Sequence, residues 1–334
     1  MYTDENLENA VLKGIFSKKS VEIFRNDIAS SSNTHAADEE KFRLIASFND
    51  LFVVIACMLF LLSVSWALFH IHPALSAFVV SLSSWILAEF FVLRRKMALP
   101  AIALLITMVG GLFASVALLF DTPNEGAFVL SALAAAIGAW LHWKRFGVPI
   151  TVAAGVAAIV VFIISLLASL IPKLVEHLMP MILLGGIGVF LVAMRWDSSD
   201  PQRLTARSDI AFWLHLTAAT LIVHPIFSIL GVFDGNDSLI GLSSAVVLYL
   251  ILTLISLVID RRAFMVSSLA YLLAALTQML NTYGYSIEVE SFAYVGVVIG
   301  FSLLLLSGFW HSARQRIVSF LPASIRKFLP GVSQ

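Results

Sequence analysis

The residues of this chain best placed to do chemistry are the carboxylates and imidazoles set inside long apolar runs. A polar group in hydrocarbon is costly enough that each one needs an explanation. Glu89 precedes Arg94 by five residues, roughly 7–8 Å along a helix from the basic end of its run. His215 follows Asp209 by six residues, about 9 Å from the corresponding end of another run. Similar depth makes a Glu89–His215 contact feasible, with Asp50 near the mouth. A carboxylate paired with an imidazole would bind a proton. The plainer alternative turns Glu89 toward Arg94 and Arg95 and leaves His215 bonded to a neighbouring helix. His224 stands nine residues beyond His215, on the opposite face at about 100° per residue, so the two cannot share a site on this helix. Pro225 follows it and predicts a kink. Gln278 and Asn281 would add hydrogen-bonding partners.

A second candidate is the stretch RWDSSDPQRLTARSDIAFWLHLTAATLIVHP, Arg195–Pro225. Its first half is the longest polar interruption after residue 50, and Asp197, Asp200, Arg203, Arg207 and Asp209 crowd it. Paired Asp and Arg residues could bind a phosphate or a cytoplasmic partner. The same residues would also serve to fold the loop and fix its orientation. Ser208 is expected to cap the helix that follows, with Asp209 at its positive end.

Other chemistries lack their patterns. His70, His72, His177 and His224 accompany acidic turns at Asp121/Glu125, Glu176, Asp234/Asp237 and Glu288/Glu290. Imidazoles and carboxylates are metal ligands, yet no HxxxH, HExxH or CxxC spacing occurs. No metal or cofactor is expected, and no Walker loop, zincin or Ser-His-Asp spacing names an enzyme. Gly185-Gly186-Ile187-Gly188 lacks the strand-to-helix context of a phosphate cradle. Cys57 is the single cysteine, so no intrachain disulfide can form.

The elements that position these residues follow from composition. Sixty per cent of the 334 residues are hydrophobic and 13% charged, whereas a soluble domain averages roughly 45–50% and about 25%. Lipid must therefore be the solvent for most of the chain. Residues 1–49 form the hydrophilic N-terminal segment, with Leu7, Val11, Leu12, Ile15, Phe16, Ile23 and Phe24 at amphipathic helical spacing and a Ser-rich linker near Ala29–Asn33. No signal-peptide pattern opens the chain. From residue 50, ten apolar runs follow: 50–69, 74–93, 98–120, 126–143, 148–171, 175–194, 210–232, 239–259, 263–283 and 290–310. Each is near the length that spans a bilayer and must be helical to satisfy its backbone there. The fold class is all-α, a polytopic bundle of about ten transmembrane helices over 50–311.

Basic residues sort onto one side of this threading. Lys41, Arg43, Arg94-Arg95-Lys96, Lys144-Arg145, Arg195, Arg203, Arg207, Arg261-Arg262, Arg314, Arg316, Arg326 and Lys327 fall together, and Lys173 alone falls opposite. The positive-inside rule then places both termini and the Arg195–Asp209 loop in the cytoplasm. No basic face outside these flanks suggests nucleic acid. Trp66, Trp140, Trp143, Trp196 and Trp310 sit near run ends as interface anchors, whereas Trp85 and Trp213 lie deeper, between helices. The tail 312–334 alternates basic and apolar residues, as a short helix on an anionic leaflet would. A protein partner of the cytoplasmic tail is the other reading. Gly110-Gly111 and the glycines at 185, 186 and 188 read as helix-packing positions. Three inner turns, at Arg94-Arg95, Lys144-Arg145 and Arg261-Arg262, look alike, as tight cytoplasmic turns or as a duplicated hairpin would. Two inverted five-helix halves are allowed, though no side-chain match joins them.

The Arg195–Pro225 stretch, together with the general layout, resembles a family of uncharacterised multi-pass inner-membrane proteins of proteobacteria. The resemblance implies a bacterial inner (plasma) membrane and carries no activity with it. Ten spans, a kinked helix and polar groups in the bundle point first to a secondary transporter of a small solute, proton-coupled through Glu89 and His215. A non-catalytic accessory protein working through its tail and loop comes second. A lipid-modifying membrane enzyme comes third.

Overall fold

The computed structural model describes residues 10–24, 48–120, 122, 124–200, 203, 205–231, 239–282, 296, 297, 299–301, 303, 304 and 308–322. Most of the tenth run, the Ser-rich linker, the acidic turns at 234–237 and 288–290, and the side chains of Gln278 and Asn281 lie outside them. Taken by itself, the N-terminal stretch is helical over 10–12 and 18–24, with Leu12, Ile15, Phe16, Ile23 and Phe24 exposed.

The membrane domain is helical, and no strand occurs among the described residues. Its helices are α1 (Phe48–Phe69), α2 (Pro73–Ala88), α3 (Ala98–Ala117), α4 (Glu125–Phe146), α5 (Pro149–Leu170), α6 (Leu178–Ser198), α7 (Ala206–Ile229), α8 (Leu239–Ile259) and α9 (Ala263–Thr282). A C-terminal helix, Trp310–Phe320, follows. Among the described residues seven helices are long and apolar enough to cross a membrane, ending with Ala206–Ile229. Within α8 and α9, Ser243–Ile259 and Ala263–Leu273 are apolar helix among the described residues.

Consecutive helices from α1 to α5 pack as hairpins, as do α6 with α7 and α8 with α9, because short turns leave each helix beside its predecessor. α7 is the centre of the second half and touches α5, α6 and α9. Leu214, Ala218, Ala219, Val223 and Phe227 of α7 are all buried. In α1 only Asp50, Cys57 and Leu61 are buried, and Trp66, Phe60 and Leu62 face outward. Small residues bring the helices close. A Cβ on Gly186 would lie 2.8 Å from the Leu221 carbonyl carbon, and one on Gly111 would lie 2.9 Å from the Ala77 carbonyl oxygen. Gly110 and Gly188 face open space. Pro225 lacks the amide that would bond Leu221 in α7, so Gly186 packs beside the turn where the helix ladder is interrupted. Lipid supplies no hydrophobic drive between helices, so such approaches and interhelical hydrogen bonds hold the bundle. Ser81 Oγ donates to the Met108 carbonyl at 2.7 Å, and Ser84 and Thr107 hydroxyls meet at 2.8 Å.

The three similar basic turns share a device. Each carries one residue in the left-handed region: Lys96 (φ 52°), Gly147 (φ 63°) and Asp260 (φ 59°). Left-handed closure is the common way to stop a helix. At the first of these turns, α2 ends in a π-helical segment, Glu89–Arg94. The loop between α6 and α7 is shorter than expected. α6 runs to Ser198 and α7 starts at Ala206. Ser198 Oγ and Ser199 Oγ donate to the Arg195 and Trp196 carbonyls, which extends α6 by satisfying its last turn.

Candidate functional site: a buried carboxylate shared by histidine and arginine

Extension of α6 places Asp197 on its final turn rather than in a loop. There it meets His215 of α7 and Arg261 of the α8–α9 turn. The Asp197 carboxylate lies 2.8 Å from His215 Nε2 and 2.6 Å from Arg261 Nη2, and Arg261 Nε reaches it at 3.3 Å. Side-chain exposure is 1% for Asp197, 0% for His215 and 2% for Arg261. Arg261 Nη2 also donates to Ser208 Oγ at 3.1 Å and to its carbonyl at 3.3 Å. Ser256 Oγ donates to the Arg261 carbonyl and holds the turn.

The chemistry of this arrangement follows from its donors. An ionised carboxylate only accepts, so His215 Nε2 carries a proton. His215 Nδ1 is buried and has no hydrogen-bond partner among the described residues. Phe190 packs against the ring at 5.6 Å between centroids. The imidazole is thus a proton acceptor whose charged form would face a carboxylate already paired with Arg261. Removing one partner of a buried pair leaves an uncompensated charge, a loss of about 3–5 kcal/mol.

A second network adjoins the first. Asp260 accepts from Arg203 Nη1 at 2.9 Å and from Trp310 Nε1 at 2.8 Å, and Arg314 Nε stands at 3.7 Å. Arg203 Nη2 bonds the Asp260 carbonyl at 3.1 Å. Burial, then Arg261, draws the Arg203 guanidinium below its ordinary range, against the pull of Asp260. Asp200 Oδ2 accepts from the Thr205 amide at 2.9 Å and hydroxyl at 2.7 Å. Thr205 in turn caps α7 by accepting from the Arg207 amide. The cap is therefore Thr205 and not Ser208. Helix α7 begins four residues earlier than its apolar pattern, which frees Ser208 to hold Arg261.

The residues singled out from sequence divide as follows. Asp197, Asp200, Arg203 and His215 belong to the two networks. Asp209 is half-buried on the first turn of α7, and Arg207 is exposed. Asp50 is buried on the first turn of α1. Glu89 does not pair with His215. The π-helical end of α2 presents it to Arg145 of α4, with bonds of 2.8 Å from Nε and 2.8 Å from Nη2. His224 lies apart, with Nδ1 3.0 Å from the Tyr271 hydroxyl of α9. Among the described residues no three His, Cys, Asp or Glu side chains group as metal ligands.

Four residues escaped the sequence reading. Arg261 and Arg314 read from sequence as orientation-setting basic residues and Trp310 as an interface anchor, and Asp260 carried no reading of its own. The available signals were an aspartate beside a basic pair that already sufficed for orientation, and a Trp–Arg spacing of one helical turn. Trp310 is buried against Leu257 and Met265 and is no lipid anchor. His142 was also passed over. It is wholly buried, with Nδ1 3.0 Å from Thr151 Oγ1 and its ring 4.4 Å from Phe146. Comparison with protein-family models, curated proteins and solved structures finds no match to this chain.

Proposed function

We propose that the chain is a ten-span protein of the bacterial inner membrane with both termini in the cytoplasm, and that it is a secondary transporter of a small solute. The proton-binding element is Asp197 with His215, in place of the Glu89–His215 pair expected from depth alone. One observation carries this reading: an imidazole and a carboxylate 2.8 Å apart, both out of contact with solvent, on adjoining helices. Intramembrane ionisable pairs of this kind mark proton relays. The threading draws support from the bridges themselves. Glu89–Arg145 joins the ends of α2 and α4, and Asp197–Arg261 joins the end of α6 to the α8–α9 turn. Both link positions that the basic residues assign to one side. Ser65 and Ser76, 3.2 Å apart, tie α1 to α2 on the other. Membership in the proteobacterial family suggested by the Arg195–Pro225 stretch belongs to the same proposal.

Proton flux in reconstituted vesicles tests it. His215→Ala and Asp197→Asn abolish flux, and Glu89→Gln keeps it. Equal flux in all three ends the proposal. A second reading, an accessory protein working through its cytoplasmic end, is favoured by one observation: Trp310 of the C-terminal helix is buried and bonded to Asp260. Under that reading, proton flux stays at the empty-vesicle level in the parent and in every variant.

A further inference from the structure

Asp260 and Arg261 are chain neighbours that serve two different networks. Arg261 grips Asp197 and Ser208, whereas Asp260, with φ 59°, accepts from Arg203 and Trp310. The next residue, Arg262, lies over the Trp310 ring at 5.1 Å. The C-terminal helix is seated on this turn by one face. Trp310, Arg314 and Val318 succeed one another at helical spacing and are all buried. Ser312, Gln315, Arg316 and Ser319 are exposed. Val318 of the amphipathic stripe expected to lie on lipid is therefore covered by protein, whereas Phe320 stays exposed. An 11-residue helix is marginal on its own in water, so its folded state depends on the seat.

We infer that Trp310–Phe320 is a latch keyed to Asp260, and that its seating is coupled through the 260–262 turn to the pairing of Arg261 with Asp197. When Asp197 loses its charge, the buried Arg261 guanidinium loses its 2.6 Å carboxylate partner and turns to the neighbouring Asp260 carboxylate or swings outward. Either movement reshapes the turn that presents Asp260 to Trp310, and the helix leaves its seat. The inference goes beyond the transport reading and holds whether or not a solute moves.

Cysteine reactivity in the full chain tests it. Val318→Cys places a thiol on the buried face, and the native Cys57, buried in α1, reports opening of the whole bundle. With N-ethylmaleimide and mass mapping of the two sites, Cys57 and position 318 react slowly in the Val318→Cys parent. Adding Asp260→Asn raises labelling at 318 by about tenfold with Cys57 unchanged, as local opening requires. Adding Asp197→Asn does the same, to a smaller extent. Labelling at 318 in the parent as fast as in an exposed Ser319→Cys variant overturns the latch. Release by Asp260→Asn without release by Asp197→Asn overturns the coupling. If Asp197→Asn also exposes Cys57, the milder Arg261→Lys variant takes its place and is read in the same way.

Discussion

Two carboxylate–arginine bridges of similar geometry stand in opposite surroundings. Arg145 holds Glu89 through two bonds of 2.8 Å, with side chains 55% and 36% exposed. Arg261 holds Asp197 at 2.6 and 3.3 Å, with both side chains almost wholly buried and His215 on the same carboxylate. Bond length does not separate them; enclosure by protein and the number of dependent partners do. A pair at the rim of the protein is screened wherever water reaches it, and there it contributes little. A buried pair contributes little net attraction as well, but removing one half strands the other in a medium that cannot solvate it. The Asp197 cluster is therefore hard to dismantle and intolerant of losing either charged partner. The Glu89 bridge is neither.

The largest expected effect breaks the buried side of this comparison. Asp197→Ala strands Arg261 and His215 together and lowers stability by about 3–5 kcal/mol, read from the denaturation midpoint in mixed micelles. A loss below 1 kcal/mol would mean that water reaches the cluster and that the two bridges are alike. Trp310→Phe asks whether the adjoining Asp260 network behaves as the first does. It removes one buried donor to a carboxylate and costs about 1.5–3 kcal/mol. Gly186→Val asks whether packing as well as charge holds α6 on α7. A Cβ there meets the Leu221 carbonyl carbon at 2.8 Å, and overpacking of this kind costs about 1–3 kcal/mol. The control Gly188→Ala, whose Cβ meets nothing within 4 Å, leaves the midpoint in place. Glu89→Gln is the smallest: its midpoint coincides with that of the parent, and a shift matching that of Asp197→Ala would erase the distinction.

Much of the fold was legible because lipid imposes simple rules. Runs near the bilayer thickness must be helices, and α1 to α9 fall within a few residues of the expected stretches. The largest departure, at the α6–α7 loop, arose because polar residues were read as loop residues. Ser198, Ser199 and Thr205 carry the helix ends past the apolar pattern by bonding orphan backbone groups. The site was legible in pieces. Asp197, Arg203 and His215 stood out as polar groups needing an explanation, but depth along the membrane is only one coordinate. It placed Glu89 level with His215 and said nothing about the direction each one faces, which the π-helical turn of α2 and the packing of α6 on α7 decide. Arg261 is separated from Asp197 by 64 residues. Its presence was already accounted for by orientation, so nothing in the sequence called for a second role.

Paired double-mutant cycles, one on Asp197 and Arg261 and one on Glu89 and Arg145, measure the contrast most directly, because each cycle isolates the interaction of two side chains from the cost of losing either. The account predicts a coupling at Asp197–Arg261 several times that at Glu89–Arg145. Equal couplings would contradict it, and with it the case for Asp197 and His215 as the working element of the bundle.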